Sequence, residues 1–167
     1  MAEPPTDAPA ALPSPAATSP AATSEALPDP GHRGLRVDRA GPDRYTGHNG
    51  RAAPIPIGLA GTDGCYSPTE LLRIAVGGCA GLSAEHPITR RLGADAEVRI
   101  TVAPGEDRAE RRFTALASTL TLDLSGLDPQ AQEQLRTVVT RAVHRYCTVG
   151  RTVEHGAPVP LTVRGAR

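Results

Sequence analysis

Apolar residues recur at helical spacing in two stretches of this chain. Leu71, Leu72, Ala75, Cys79 and Leu82 form the first stripe, which predicts an amphipathic helix. Its start is well punctuated: Ser67 can cap, Pro68 suits the first helical position, and Glu70 stands where a capping-box carboxylate reaches back to the cap N–H. Pro87 is expected to end or kink this helix. Cys79 then points to the core side, about two turns from Leu72. The second stripe, Leu135, Val138, Val139, Ala142, Val143 and Tyr146, follows a start signal at Asp128-Pro129.

Alternation of apolar and polar positions predicts the strands. Residues 96–102 place Val98, Ile100 and Val102 on one face, and residues 113–124 place Leu116, Ser118, Leu120, Leu122 and Leu124 together, opposite Thr119, Thr121 and Asp123. With Pro104-Gly105-Glu106-Asp107 as the turn, the two runs make an antiparallel hairpin with one wet face. Three short strands are expected ahead of the first helix, over residues 34–38, 44–46 and 53–57, around a Gly47-His48-Asn49-Gly50 turn. The prolines at 54 and 56 make the third an edge strand or an extended loop. After the second long helix, Gly150 and Gly156 punctuate a short helix or turn, and Leu161-Thr162-Val163 is expected to close the sheet. Strands, helix, hairpin, helix and strand in that order define an α+β class with an antiparallel sheet.

Composition divides the chain in two. Seventeen of the first thirty residues are Ala or Pro. Such a stretch cannot bury enough surface to offset its ordering entropy, so residues 1–33 are expected to be a disordered tail and residues 34–167 the working domain. The N-terminal stretch has no basic region followed by a continuous apolar run, and it carries Glu3 and Asp7, so no export or transit signal is expected. No apolar run approaches a membrane span. The expected location is the cytoplasm, where thiols rest reduced and a disulfide is transient.

Charge narrows the partners. Eighteen basic residues balance eighteen acidic ones with no basic run, and with no Trp, one Phe and three Tyr there is no stacking platform, so neither nucleic acid nor a membrane is an expected partner. Every basic residue is Arg, which removes lysine Schiff-base and general-base chemistry.

Cysteine carries the remaining candidate chemistry. Cys79 sits in the apolar helix, Cys147 lies at a helix joint in Arg145-Tyr146-Cys147-Thr148-Val149-Gly150, and Cys65 stands in a Gly-Cys-Tyr turn. By residue type alone, Cys79 reads as a small core residue at least as readily as a nucleophile. The plain structural readings are a helix-end residue for Cys147, which its pairing with Cys79 disfavours, a capping residue for Glu70, and solvated or structural side chains for His86, His144 and His155. A zinc site from the three cysteines and a histidine lacks any paired C-x-x-C unit.

Ser67-Pro68-Thr69-Glu70-Leu71-Leu72, then Gly78-Cys79, then Tyr146-Cys147-Thr148-Val149 resemble the OsmC/Ohr family of thiol-dependent hydroperoxide reductases over roughly residues 35–164. The resemblance implies an antiparallel sheet wrapped around central helices in an intertwined homodimer. It implies that Cys79 is the peroxidatic thiol, that Cys147 resolves it, and that Glu70 holds an activating arginine from a glycine-rich turn. Here that turn reads Gly47-His48-Asn49-Gly50-Arg51, so His48 or Arg51 is expected to take the arginine's part. The residues after Cys147 also depart from the peroxidases, which carry a proline directly after this cysteine.

The activity so implied is reduction of organic hydroperoxides to alcohols, through a Cys79 sulfenic acid and a Cys79–Cys147 disulfide that an external dithiol reduces, in defence against oxidative stress. No cofactor or metal is required. The alternative is a non-catalytic dimer of the same fold that binds a small apolar ligand or acts as a redox sensor.

Overall fold

The computed structural model describes residues 35–165. The expected disordered tail lies outside the described residues. Three strands come first: β1 (Arg36–Gly41), β2 (Arg44–His48) and β3 (Ile55–Ile57), antiparallel in the order β1-β2-β3. Asp43 turns between the first two with φ of 53°. His48, expected in the following turn, is the last residue of β2 and pairs with Arg36. Pro56 is accommodated because β3 is an edge strand. Beyond itself, β3 is tied to the segment that enters the first helix, where Tyr66 donates its N–H to the Pro56 carbonyl at 3.0 Å.

Helix α1 (Pro68–Leu92) starts as the residues dictate. Ser67 Oγ accepts the Glu70 N–H at 3.3 Å, and the Glu70 carboxylate accepts the Ser67 N–H at 2.7 Å, which completes a capping box. The helix does not end at Pro87. That residue forfeits one ladder bond, a cost of roughly 3 kcal/mol in a helix interior. Ile88, only 1% exposed, anchors the next turn in the core, and Thr89 Oγ1 donates to the Glu85 carbonyl at 2.9 Å. Gly93 then closes the helix at φ of 97°, its N–H bonding the Thr89 carbonyl.

The face of α1 that is buried differs from the one expected. Val76, Gly77, Ala80, Ala84 and Ile88 face inward, whereas Leu82 is 81% exposed and Ala75 is also on the outside. Small residues face inward because the hairpin approaches the helix closely: a Cβ on Gly81 would lie 2.8 Å from Ile100 Cδ1, and one on Gly77 3.2 Å from Val102 Cγ2. Cys79 therefore does not point into the main core. It is half-buried at the edge of the inward face.

The hairpin pairs β4 (Val98–Asp107) with β5 (Arg112–Leu122) antiparallel. Pro104 to Asp107, expected to be the turn, continues β4 past a bulge at Gly105 and Glu106, and the chain reverses over residues 108–111, with Arg111 at φ of 53°. In a two-stranded ribbon both strands are edges, so a proline that donates no N–H can stay in the strand. Arg73 fastens the hairpin to α1, donating from Nε and Nη2 to the Val102 carbonyl at 3.0 and 2.7 Å.

Helix α2 (Pro129–Tyr146) is capped by Asp128, whose carboxylate accepts the Ala131 N–H at 2.8 Å. Leu135 and Val139 meet Ala84 and Ile88 to form the core, with Leu92, Leu120, Leu122, Leu124 and Val143 packed around it. Helix α3 (Thr148–Glu154) follows immediately and lies against α1. Leu161 to Val163, expected as a last strand, forms no strand in the structure, and Val163 is 88% exposed. The described residues thus form an α+β fold. No helix among them is long and apolar enough to cross a membrane.

Leu135 closes the core between α1 and α2, so Leu135→Ala is expected to lower the unfolding free energy by roughly 2–5 kcal/mol. A urea titration should show this as a lower midpoint at unchanged slope; a loss under about 1 kcal/mol would place the core elsewhere.

Candidate active site

Cys147 joins two helices. Its N–H donates to the Val143 carbonyl at 2.9 Å as the C-cap of α2, while its Sγ accepts the Gly150 N–H at 3.3 Å as the N-cap of α3. The residue is 4% exposed. Gly150 leaves room for this cap, since a Cβ there would stand 3.1 Å from Cys147 Sγ. The turn of α1 that carries Cys79 faces the same place. Cys79 Sγ accepts the Val149 N–H at 3.5 Å, so one short helix receives a sulfur from each of two helices at its first turn.

The two thiols titrate in opposite directions. The Val149 N–H is the main influence holding Cys79 below the ordinary thiol range; partial burial opposes it, and the Cys147 thiol, the Thr148 N–H and the Ser83 hydroxyl assist. Burial pushes Cys147 upward, against the Gly150 N–H, and a charge on Cys79 pushes it further. The first proton therefore leaves Cys79, and Cys147 stays a thiol beside it. Ser83, four residues after Cys79, also donates to the Cys79 carbonyl at 2.7 Å.

Within one chain the remaining predicted residues lie apart from this pair. Glu70 accepts from the Ser67 N–H and hydroxyl, both at 2.7 Å, and these bonds hold its carboxyl below the usual carboxylate range. Among the described residues, no hydrogen bond or ion pair joins Arg51 to Glu70 or to Cys79. Arg51 is exposed and its N–H bonds the Asn49 side chain at 2.9 Å. His48 Nε2 lies 3.5 Å from the Asp38 carboxylate. Cys65 accepts from Arg44 Nη1 at 3.3 Å, away from the other cysteines. No group of three or more His, Cys, Asp or Glu among the described residues is gathered to hold a metal.

The groups that do act on Cys79 were missed at the level of sequence. Val149 and Thr148 contribute main-chain N–H groups, which leave no signature in residue type. Ser83 could have been found from its i+4 spacing, and the cap from Cys147 standing three residues before Gly150. Beside the pair runs a groove of about 1160 Å³ between β5, α2 and α3, lined by Leu72, Phe113, Leu120, Val139 and Val143, with Cys147 in its wall.

Two adjacent, inequivalent thiols, one in the middle of α1 and one at the joint of α2 and α3, form the site. The pattern of the OsmC-like protein family matches residues 61–162, which take in both thiols. Uncharacterized proteins of Mycobacterium tuberculosis and Mycobacterium bovis are each 41% identical over 129 residues, 77% of this chain and 94% of theirs. Among solved structures, a hypothetical protein from Aquifex aeolicus superposes with a TM-score of 0.54 at 16% identity, over 74% of this chain and 88% of that one. A Psychrobacter arcticus protein, provisionally named for osmotic stress induction and detoxification response, gives 0.53 at 18%, over 71% and 85%. The chain belongs to the OsmC-like family, as the residues around Cys79 and Cys147 imply.

The lowered Cys79 and raised Cys147 fix an order of reactivity. A thiol reacts as its thiolate, so alkylation of Cys79 should rise at lower pH than alkylation of a free cysteine, with Cys147 following at higher pH. Mass-resolved iodoacetamide labelling against pH measures both curves, and the reverse order would overturn the assignment.

Proposed function

We propose that this chain is a thiol-dependent peroxidase that reduces organic hydroperoxides to alcohols. The observation that carries the reading is the split pair: a thiol held toward its thiolate by main-chain N–H groups, against a buried second thiol. The Cys79 thiolate attacks the distal peroxide oxygen, the O–O bond breaks, and the alkoxide leaves as an alcohol once protonated. Cys79 is then a sulfenic acid. The Cys147 sulfur displaces its hydroxyl as water, which forms the disulfide and spares Cys79 further oxidation. An external dithiol returns both thiols, in keeping with a cytoplasmic setting.

A homodimer is part of this reading. Leu82 and Ile74 leave apolar surface on the outside of α1, and β1 to β3 do not pack substantially on any helix of their own chain. A second copy that covers them would enclose Cys79 and bring its own His48, Arg51 and Glu70 within range of a shared site. Apolar walls in the neighbouring groove favour an alkyl hydroperoxide over hydrogen peroxide.

One observation favours a second reading, a non-catalytic dimer that binds an apolar ligand or senses redox state: none of the groups that lower Cys79 within the chain is a cation. Turnover separates the two. With cumene hydroperoxide and a dithiol, Cys79→Ser should abolish peroxide consumption, and Cys147→Ser should allow a single round that leaves a sulfenic acid. Equal, full activity in both variants would refute the peroxidase scheme.

A further inference from the structure

Helix α3 lies against α1 but buries no side chain of its own. It spans seven residues, none of them fully buried, and only Val149 and Gly150 are even half-buried. Isolated helices shorter than about 12–15 residues are marginal in water. The segment that follows leaves its apolar side chains outside: Val159 is 93% exposed and Leu161 89%. Two of the N–H groups in its first turn are taken by the sites' own sulfurs, Gly150 N–H by Cys147 at 3.3 Å and Val149 N–H by Cys79 at 3.5 Å.

We infer that oxidation of the Cys79–Cys147 pair releases α3, so that the redox state of the thiols is written into the order of the helix and of residues 155–165. The inference rests on the disulfide of the proposed function but not on the peroxide that forms it. The Cys79 thiolate is a strong acceptor for the Val149 N–H, since hydrogen bonds to an ionised partner are roughly twice as strong as neutral ones, whereas Cys147 accepts the Gly150 N–H as a neutral thiol. A disulfide sulfur carries no charge and accepts weakly. Its bond also fixes the two sulfurs about 2.05 Å apart, so they can no longer be placed independently, one by the Val149 N–H and the other by the Gly150 N–H. Both caps are thereby weakened in one step, at a helix with no buried side chain to compensate.

With a hydroperoxide, two thiols are oxidised to the disulfide while the peroxide is reduced to alcohol and water. With diamide, the azo bond accepts the two hydrogens and becomes a hydrazine, and the same disulfide forms without peroxide chemistry. Diamide is therefore the probe. The experiment is hydrogen exchange on the full chain carrying Cys65→Ser, reduced and after diamide, with the linkage mapped by peptide mass.

The expected result is a Cys79–Cys147 link and exchange of the Val149, Gly150 and Arg151 amides faster by about tenfold or more, the loss expected when the Val149 bond to a charged sulfur and the Gly150 bond to a neutral one are given up together. With Cys79→Ser added, the same treatment should leave α3 unchanged. Mapped disulfide with exchange within about twofold of the reduced protein would overturn the inference, as would failure of the pair to link, or equal acceleration without Cys79. If diamide links the pair and frees α3 while hydroperoxide does neither, the inference holds and the peroxidase reading falls.

Discussion

The bond from the Val149 N–H to Cys79 Sγ joins the middle of α1 to the first turn of α3, and most of the site's chemistry depends on it. It is the leading influence that lowers the Cys79 thiol. An N–H dipole aimed at sulfur stabilises the negative charge without a nearby cation, as helix N-termini do for other anions. Cys147 is in contact with the same first turn, yet burial dominates there and keeps it protonated. Two like residues a short distance apart thus acquire different characters from their surroundings alone.

That arrangement needs α1 held close against the hairpin. The small inward residues supply it: Gly77 and Gly81 let Val102 and Ile100 close on the helix backbone, and Ala80 and Ala84 are buried on the same face. Arg73 then locks the helix to the hairpin through one carbonyl. The large apolar residues Ile74 and Leu82 are left outward. Close approach inside and apolar surface outside are two consequences of one residue pattern.

Much of this was legible beforehand, though unevenly. The capping box at Ser67, the hairpin strands and α2 follow from side chains whose local preferences agree with their final place. The inward face of α1 was not legible, because periodicity weights Leu82 above Ala80 and cannot register that a neighbouring strand leaves no room for a large side chain. Pro87 and Pro104 misled for a related reason: burial of Ile88 and the edge position of β4 override a local breaker. At the site, the cysteines were legible by type and motif. The N–H groups of Thr148 and Val149 were not, since every residue but proline carries one.

The central claim is that Cys79 and Cys147 act as one redox unit. The most direct test adds one equivalent of an alkyl hydroperoxide to the fully reduced protein, counts the thiols lost and locates any disulfide by peptide mass. Rapid loss of two thiols with a Cys79–Cys147 link is the expected result. Retention of both thiols, or a link that runs through Cys65 instead, would contradict it.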